Sequence, residues 1–279
     1  MKRASIHLKG GFGNQIFQYC MANYLRDKNY KVTIDTNFYK KDFQQNNNTP
    51  REIVFEPNLL GFNKISNFSR LFLKMLRKVN SLEIKFFTYE FFKGYDFNEK
   101  KMKDFNEFDG YWQNTNLLLY NRNFIKNTLE NIPLIKDALS SPIKRNSSLI
   151  HIRRRDYIQM GEELDILFYK KSLDYLENNI AEFKFDVFTD DYEWVKSQEI
   201  FDKAENIYSE KDFNNDPVET FAKMFSYNNF IVGNSTFSLI AAFMVESNSS
   251  IIIIADPWFR KIKHPGFSFK NWIKIENKK

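Results

Sequence analysis

Three short stretches of the sequence carry side-chain types that bind phosphorylated ligands. They are 151–156 (HIRRRD), 189–191 (TDD) and 233–238 (GNSTFS). The guanidinium groups of the first stretch match phosphate oxygens in a two-pronged geometry. The hydroxyls and backbone N–H groups of the third are typical of an anion site at a helix start, and carboxylates in the second accept hydrogen bonds from ribose or guanine. Together they predict a pocket for a nucleotide diphosphate.

Each stretch also has a plain structural interpretation. The arginines alone are compatible with a solvated charged turn, and Asp190, Asp191, Ser235 and Thr236 are all residue types that cap helices. The convergence of all three stretches favours the ligand site over these alternatives.

The same three stretches directly follow predicted strands. Apolar runs at 149–152, 183–189 and 230–232 are typical of buried strands, as is the run 250–255. Helical patterns alternate with them at 167–176, at 192–200, from Asp216-Pro217 (N-cap and first helical residue) through Phe225, and at 237–245. This alternation predicts an α/β fold with a parallel sheet, in which ligands bind beyond the carboxyl ends of the strands.

The chain begins with a similar strand and helix. Residues 5–8 and 31–35 are predicted strands, and a helical pattern with Asn14 as its possible cap follows a glycine-rich turn. The turn is not a dinucleotide-binding fingerprint, because Ile16 occupies the place of the third glycine, and no Lys-Ser or Lys-Thr pair follows as in a P-loop. A tight turn and a backbone that approaches a ligand are the two alternatives.

The length of 279 residues fits one large domain or two halves. The serine-rich stretch 140–148, with Pro142, is the predicted linker, which gives an N-terminal half at 1–143 and a C-terminal half at 144–279. The Asn/Gln-rich stretch 44–48 is a predicted surface loop. The acidic stretch 107–109 is also a predicted loop.

Composition narrows the class of protein. Lys and Arg (41) exceed Asp and Glu (35) by 6, which favours an acidic partner such as nucleotide phosphate, nucleic acid or anionic lipid. Acidic residues mixed throughout the chain disfavour a nucleic-acid-binding protein. One cysteine excludes an intrachain disulfide framework and, with three histidines, disfavours a zinc cluster. No apolar run approaches the roughly 18 residues that span a bilayer, so a cytoplasmic protein is expected.

Residues 63–79 form a basic amphipathic pattern. Its apolar face contains Phe68, Leu71, Phe72, Met75, Leu76 and Val79, whereas Arg70, Lys74, Arg77 and Lys78 lie elsewhere. A surface helix that packs this face inward is the favoured interpretation. The alternative is a helix that lies on an anionic membrane, which would make the protein peripheral to the inner face of that membrane.

Six motifs extend over nearly the whole chain. They are KGGFGNQIFQY at 9–19, DGYWQN at 109–114, HIRRRDY at 151–157, FYKKSLDYL at 168–176, VFTDDYEWV at 187–195 and NNFIVGNSTFS at 228–238. Through them, in this order, the sequence resembles the α-1,2-fucosyltransferases of glycosyltransferase family 11, inverting enzymes with an HxRRxD signature. It departs from the family pattern at Arg155, where glycine is usual, and at 239–241, where Leu-Ile-Ala replaces Trp-Trp-Gly.

The resemblance implies a GT-B fold, in which two Rossmann-like halves face a cleft, and transfer of L-fucose from GDP-β-L-fucose to O2 of a terminal galactose. GDP-fucose is expected in the C-terminal half, with arginines in place of a metal and no other cofactor. The implied donor-binding residues are Arg153 and Arg154 at the diphosphate, His151 and Asp190 near the nucleotide, Asn234, Ser235, Thr236 and Ser238 around the phosphates, and Gly11, Gly13, Asn14 and Gln15 from the other half.

The catalytic candidates lie on and just after the arginine motif. Arg153 and Arg154 would stabilise the charge of the departing phosphate, and Asp156 is the first candidate for the general base. An Asp156 that only holds the arginines in place is at least an equal alternative, and Glu162, Glu163 and Asp165 on the same loop are further candidates. The acceptor is expected to be an oligosaccharide or lipid-linked glycan of a bacterial surface polysaccharide. Another HxRRxD-type GDP-sugar transferase, such as an α-1,6- or protein O-fucosyltransferase, is the alternative function.

Overall fold

The computed structural model describes residues 2–40, 51–81, 89–143 and 147–277. The chain folds into two compact units, Met1–Thr128 and Leu129–Lys279. This division precedes the expected one at 143/144, because helix Pro133–Ser140 packs against helix Pro217–Met224 of the second unit. The surface loop expected at 44–48 lies outside the described residues.

The first unit contains, among the described residues, a parallel sheet of five strands. They are β1 (Arg3–His7), β2 (Lys31–Asp35), β3 (Asn63–Lys64), β4 (Tyr89–Gly94) and β5 (Phe105–Gly110), in the order β3-β2-β1-β5-β4. Its helices are α1 (Phe12–Asp27), α2 (Asn67–Ser81), α3 (Thr115–Tyr120) and α4 (Arg122–Glu130), the last of which continues past Thr128. Short 3-10 turns lie at Asn37–Tyr39, Pro57–Leu60 and Glu99–Lys101.

Helix α1 is buried over most of its surface and packs against β1 and β2. It begins at Phe12 with Gly11 in the N-cap position, so the expectation that Asn14 caps it is wrong. Asn14 lies inside the first turn, and its Oδ1 accepts a hydrogen bond of 2.9 Å from Nε2 of Gln113. The helix therefore starts directly at the glycine-rich turn, without a side-chain cap.

Helix α2 uses only part of its predicted apolar face for packing. The structure has a short strand, β3, at the start of the predicted helical stretch, and the helix begins four residues later. Leu73 and Leu76 are buried and form a small core with Ile65 and Tyr89. The inward-packing interpretation is therefore confirmed for this side of the helix.

A buried carboxylate joins three elements of the first unit. The expectation of a loop at 107–109 is wrong, because these residues belong to β5, which pairs with β1 and β4 on either side. Glu107 accepts hydrogen bonds from His7 (Nε2 to Oε1, 2.6 Å), from Arg77 and from Tyr89. Burial opposes its charge, but these donors lower the pKa of Glu107 from 4.5 to about 2. The ionised carboxylate ties β1, β4 and α2 to β5.

The second unit contains a parallel sheet of six strands in the described residues. They are β6 (Ser147–Ile152), β7 (Lys184–Thr189), β8 (Asn206–Ser209), β9 (Asn229–Gly233), β10 (Ile252–Asp256) and β11 (Ile273–Glu276), in the order β11-β10-β9-β6-β7-β8. Counted from β8, this is the 3-2-1-4-5-6 order of the Rossmann fold. The predicted α/β class with two Rossmann-like units is confirmed.

The helices of the second unit follow the predicted alternation. They are α5 (Pro133–Ser140), α6 (Arg155–Met160), α7 (Ile166–Asn179), α8 (Tyr192–Lys196), α9 (Pro217–Met224) and α10 (Thr236–Val245), with 3-10 turns at Glu199–Phe201 and Glu210–Phe213. The prediction of one helix over 192–200 is wrong, since α8 ends at Lys196 and a separate turn follows. Asp216 caps α9 as predicted, by accepting the N–H of Val218 at 2.7 Å.

The Glu107 network makes a prediction about acid stability. We expect Glu107→Gln to lower the free energy of unfolding at pH 7 by about 3 kcal/mol, the equivalent of the pKa shift from 4.5 to about 2. Because the folded-state pKa lies below the unfolded one, this contribution is complete above pH 4.5 and is lost as the pH falls through about 2. Urea unfolding near pH 7 and near pH 3 measures both values.

The matched control is Glu56→Gln, which removes an exposed ion pair with Lys64 of 2.8 Å. We expect it to change the free energy of unfolding by at most about 1 kcal/mol. A difference between Glu107→Gln and the wild type that does not shrink on acidification would contradict the network's role.

Candidate active site

The three predicted ligand-binding stretches meet at one edge of the second sheet. Stretch 151–156 begins in the last two residues of β6, the first strand of this unit, and 189–191 and 233–238 begin at the last residues of β7 and β9. β6 lies between β7 and β9, so the chain leaves β6 toward one side of the sheet and later returns on the other. Ligands of open parallel sheets bind at such a switch point, beyond the carboxyl ends of the strands.

His151 connects the first stretch to the third. Its Nδ1 lies 2.9 Å from Oγ of Ser238, which is fully buried and also lies within hydrogen-bond distance of the carbonyls of Val232 and Ser235. Burial, and to a lesser degree the charge of Arg153, lower the pKa of His151 from 6.5 to about 3. The imidazole is therefore neutral at physiological pH. Ser238, a buried residue in the first turn of α10, links this imidazole to the backbone at the start of the helix.

Arg153 is surrounded by three carboxylates. Its Nε lies 3.0 Å from Asp156, and its Nη1 lies 3.1 Å from Asp190 and 3.5 Å from Glu210. Burial opposes the charge, but Asp190 and Asp156 raise the pKa of Arg153 above its ordinary value. Burial in turn raises the pKa of Asp190, against the opposing effect of Arg153. Nε and Nη1 of Arg153 therefore already face carboxylates of the protein.

Arg154 is held in a different way. Its backbone N–H donates to Asp190 at 2.8 Å, and its Nε donates to Asp191 at 3.0 Å. The guanidinium carbon lies 3.8 Å from the ring centroid of Trp194, a cation–π contact. Its two terminal nitrogens, Nη1 and Nη2, make no hydrogen bond to any residue that the structure describes. The side chain is therefore fixed in place while it keeps donors for a ligand.

Arg155 is the peripheral member of the run. It is 54% exposed and pairs through Nη1 with Glu210 at 2.7 Å. Four carboxylates thus neighbour the three arginines: Asp156, Asp190, Asp191 and Glu210. Across the described ranges, no group of three or more His, Cys, Asp and Glu side chains has the arrangement of a metal site. The independence from metal stays a prediction.

The turn from β9 into α10 passes through a glycine in the left-handed region of backbone conformation. Gly233 has a φ of +66°, and an added Cβ would lie 3.0 Å from a leucine side chain, so glycine is required there. Asn234 is buried and donates from Nδ2 to the carbonyl of Glu162 at 2.8 Å. Ser235 is the N-cap residue of α10, but its hydroxyl does not cap the helix, and Thr236 follows half-buried. The helix start therefore keeps the capacity to bind an anion.

Two of the predicted catalytic carboxylates have structural contacts. Glu162 is fully buried, and its carboxylate accepts the backbone N–H groups of Arg260 (2.6 Å), Lys261 (2.8 Å) and Ile262 (2.8 Å). The carboxylate of Glu163 lies 3.7 Å from the guanidinium of Arg260. Both carboxylate oxygens of Glu162 are therefore used to hold backbone N–H groups. Glu162 fastens the loop after α6 to 260–262, which leaves Asp156 as the candidate beside the arginines.

The four residues predicted to approach the donor from the other half lie around the start of α1. Gly13 is buried in the first turn, whereas Gly11 and Asn14 are half-buried. Gln15 is fully buried, donates from Nε2 to the carbonyl of Glu52 at 2.7 Å and accepts the N–H of Val54 at 2.9 Å. Gln15 therefore holds the segment 52–54, in line with the structural interpretation of this turn.

Sequence analysis did not select two residues that shape the site, Glu210 and Trp194. Glu210 directly follows β8. This strand has only two apolar residues, so the hydropathy pattern of the sequence does not reveal it. Recognition of β8 would have selected Glu210 by the same rule as the other loops. Trp194 lies within the motif 187–195, but its stack on Arg154 depends on where α8 places the ring in the folded unit, which periodicity does not determine.

Comparison with known proteins decides the family. Residues 3–276, nearly the whole chain, match the family described as Glycosyl transferase family 11. This chain belongs to glycosyl transferase family 11. The resemblance carried by the six motifs is confirmed, and the protein is a glycosyltransferase.

Two curated relatives of this family 11 glycosyltransferase match it end to end. An α-1,2-colitosyltransferase from Escherichia coli is 29% identical over 96% of this chain and 97% of its own. The O-antigen biosynthesis glycosyltransferase WbnK from Escherichia coli is 24% identical over 96% and 99%. Solved structures are more distant. The NodZ α-1,6-fucosyltransferase co-crystallised with GDP has 12% identity, a TM-score of 0.40 and coverage of 88% and 93%. A glycosyl transferase family 9 protein from Veillonella parvula has 12% identity, a TM-score of 0.45 and coverage of 100% and 88%.

The contacts of Glu162 make a prediction for this glycosyltransferase. We expect Glu162→Gln to lower the free energy of unfolding by about 2 kcal/mol, because an amide has one acceptor oxygen and its NH₂ group faces backbone N–H donors. Below the unfolding transition, kcat and its pH profile should match the wild type. Chemical unfolding and steady-state kinetics measure these quantities.

Glu205→Gln is the control, because it removes an exposed ion pair with Lys184 of 2.8 Å, and we expect it to change the free energy of unfolding by less than about 1 kcal/mol. A folded Glu162→Gln variant with wild-type stability and a large loss of kcat would instead identify Glu162 as the base.

Proposed function

We propose that this family 11 glycosyltransferase transfers L-fucose from GDP-β-L-fucose to O2 of a terminal galactose in a glycan acceptor. The observation that carries the donor part is the side chain of Arg154, which is stacked and ion-paired yet keeps two terminal nitrogens for a ligand. The names of the relatives support the α-1,2 linkage and the glycan acceptor, since one is an α-1,2-colitosyltransferase and the other is an O-antigen biosynthesis glycosyltransferase.

The two central arginines have different roles in this proposal. Arg154 binds the diphosphate, because a guanidinium group matches two phosphate oxygens at once and the stack on Trp194 has already restricted its rotamers. Arg153 is a positioning residue in this proposal, since its Nε and Nη1 face three carboxylates of the protein. The first N–H groups of α10 supply a second set of donors for phosphate oxygens.

The proposed reaction is a single displacement at the anomeric carbon of fucose. The acceptor oxygen forms the new glycosidic bond while the bond from the anomeric carbon to the β-phosphate oxygen breaks, which inverts the configuration from β to α. GDP leaves with the electron pair, and the hydroxyl proton passes to a base. A well-placed donor to the leaving charge contributes about 2.7 to 4 kcal/mol, and a general base contributes roughly a hundredfold to ten-thousandfold.

Asp156 is the proposed base. It lies in the first turn of α6, and its side chain is partly exposed, as a group that meets an acceptor has to be. Its bond to Nε of Arg153 also supports the alternative, in which Asp156 holds that arginine in position. Glu162 is fully buried and has its oxygens occupied by backbone N–H groups, which disfavours it.

The proposed place of the acceptor sugar is the carboxyl edge of the first unit's sheet. Lys9 follows β1, and Asp109 lies near the end of β5. Nζ of Lys9 pairs with Asp109 at 2.7 Å and lies 5.0 Å from the ring centroid of Tyr111. The ring of Tyr95 lies 5.8 Å from that of Tyr111. Aromatic faces beside charged hydrogen-bonding groups suit a ligand such as a pyranose, which has apolar faces and hydroxyl edges.

The colitosyltransferase relative favours a second donor, GDP-colitose. Colitose is L-fucose without its 3-hydroxyl group, so the two donors share the nucleotide and differ by one hydrogen-bonding group. A site that hydrogen-bonds this hydroxyl rejects the deoxy sugar strongly, whereas an apolar wall at that point discriminates weakly.

Transfer assays with both donors and a panel of glycan acceptors test the proposed function. We expect products only with terminal galactose acceptors, an α-1,2 linkage by NMR, and a kcat/KM for GDP-fucose at least about tenfold above that for GDP-colitose. Activity should be unchanged in EDTA. Preference for GDP-colitose would assign the second donor, an α-1,6 product would assign the alternative linkage, and a strict divalent requirement would contradict the role of Arg154.

Substitutions within the arginine run test the donor site directly. We expect Arg154→Ala to weaken GDP binding about a hundredfold, because two charge-assisted hydrogen bonds are lost, and Trp194→Leu to weaken it about fivefold through the lost stack. Isothermal titration measures both.

Arg155→Ala is the matched control, because Arg155 is exposed and its ion pair among the described residues is with Glu210 at the surface. It should bind GDP within about twofold of the wild type. A folded Arg154→Ala variant with wild-type GDP affinity would assign the diphosphate to other donors.

A further inference from the structure

Helix α2 is firmly attached to the first unit on one side. Leu73 and Leu76 are buried in its small core. Arg70 pairs with the buried Asp35 at 3.1 Å, and Arg77 pairs with the buried Glu107. Arg70 and Arg77 are therefore paired with carboxylates of the first unit, and the helix does not depend on its outer side for attachment.

The outer side of α2 combines large apolar residues with lysines. Phe68, Leu71 and Met75 recur at the spacing of one helix face and are 81%, 67% and 47% exposed. Lys74 and Lys78 lie beside them and are also exposed. The sequence of α2 contains no Asp or Glu. An apolar group of this kind on a helix surface marks an interaction site.

We propose that this outer face, formed by Phe68, Leu71, Met75, Lys74 and Lys78, docks the protein on an anionic phospholipid bilayer. The apolar side chains enter the boundary between headgroups and acyl chains, and the lysines stay at the level of the lipid phosphates. The helix then lies in the plane of the membrane. In the ranges that the structure describes, no helix is long and apolar enough to cross a bilayer, so the contact is with the surface.

Charge decides in favour of this occupant over a second copy of the chain. The outer face offers two lysines without an acidic residue in the helix, on a protein with a net charge of +6. A symmetric dimer through this face would bring the lysines of both copies together, and like charges repel. An anionic lipid surface attracts the same lysines. The inference is independent of the proposed donor and acceptor.

Co-sedimentation with vesicles tests the docking face. The full-length protein is mixed with vesicles of phosphatidylcholine alone or with about 30% phosphatidylglycerol, at low and high salt. We expect at least about tenfold tighter binding to the anionic vesicles, which weakens as salt screens the charges. Lys74→Gln and Lys78→Gln should each weaken the binding about fivefold.

A pair of triple variants separates this face from general surface hydrophobicity. We expect replacement of Phe68, Leu71 and Met75 by Ser to lower vesicle affinity at least about tenfold. The matched control replaces Leu59, Leu119 and Leu167 by Ser, which are 74%, 51% and 56% exposed on three separate elements, and it should bind as the wild type does. Thermal unfolding and GDP binding should be unchanged in both variants.

Absence of vesicle binding by the wild type, or equal binding by the two triple variants, overturns the proposal. A dimer in analytical ultracentrifugation that only the α2 variant dissociates would assign the face to a second copy and overturn it as well.

Discussion

The arrangement of the candidate site depends on one buried carboxylate, Asp190. It accepts the backbone N–H of Arg154 at 2.8 Å and lies 3.1 Å from Nη1 of Arg153, so a single side chain after β7 holds both the backbone and a guanidinium group of the motif after β6. Burial raises the pKa of Asp190 and the arginine contacts act in the opposite direction, so its charge is tied to theirs. A buried cation that loses such a partner is strongly destabilising. The carboxylate and the arginine motif therefore function as one unit.

This arrangement places donors before any ligand binds. The carboxylates that surround Arg153 and the Trp194 ring under Arg154 restrict both side chains, and the neutral His151 adds hydrogen-bonding capacity without further charge. Donors that are already in place stabilise a developing charge without the cost of reorganisation. The balance of four carboxylates against three arginines also explains how three consecutive cations are tolerated at the end of a buried strand.

The first unit also contains buried carboxylates paired with arginines, and there the pairs stabilise the fold. Glu107 and Asp35 are buried carboxylates that pair with Arg77 and Arg70, and these pairs attach α2 to the sheet. Since these pairs and Leu73 and Leu76 supply the attachment, the other side of α2 is not needed for packing. A single helix thereby has one side that stabilises the fold and one side whose composition suits an anionic surface.

The sequence by itself determined the α/β class, most strands and helices of the second unit, and the loops that carry ligand-binding side chains. Strands that are buried on both faces appear as continuous apolar runs, and the polar residues that follow them have to lie at one edge of the sheet. Only the tertiary structure decided that Nε and Nη1 of Arg153 face carboxylates, whereas both terminal nitrogens of Arg154 lack a partner among the described residues. It also decided that Glu162 binds N–H groups 98 to 100 positions away. It also decided which part of the apolar pattern of α2 faces solvent. These outcomes depend on neighbours that are distant in the chain, and a linear pattern specifies the type of a side chain but not its partners.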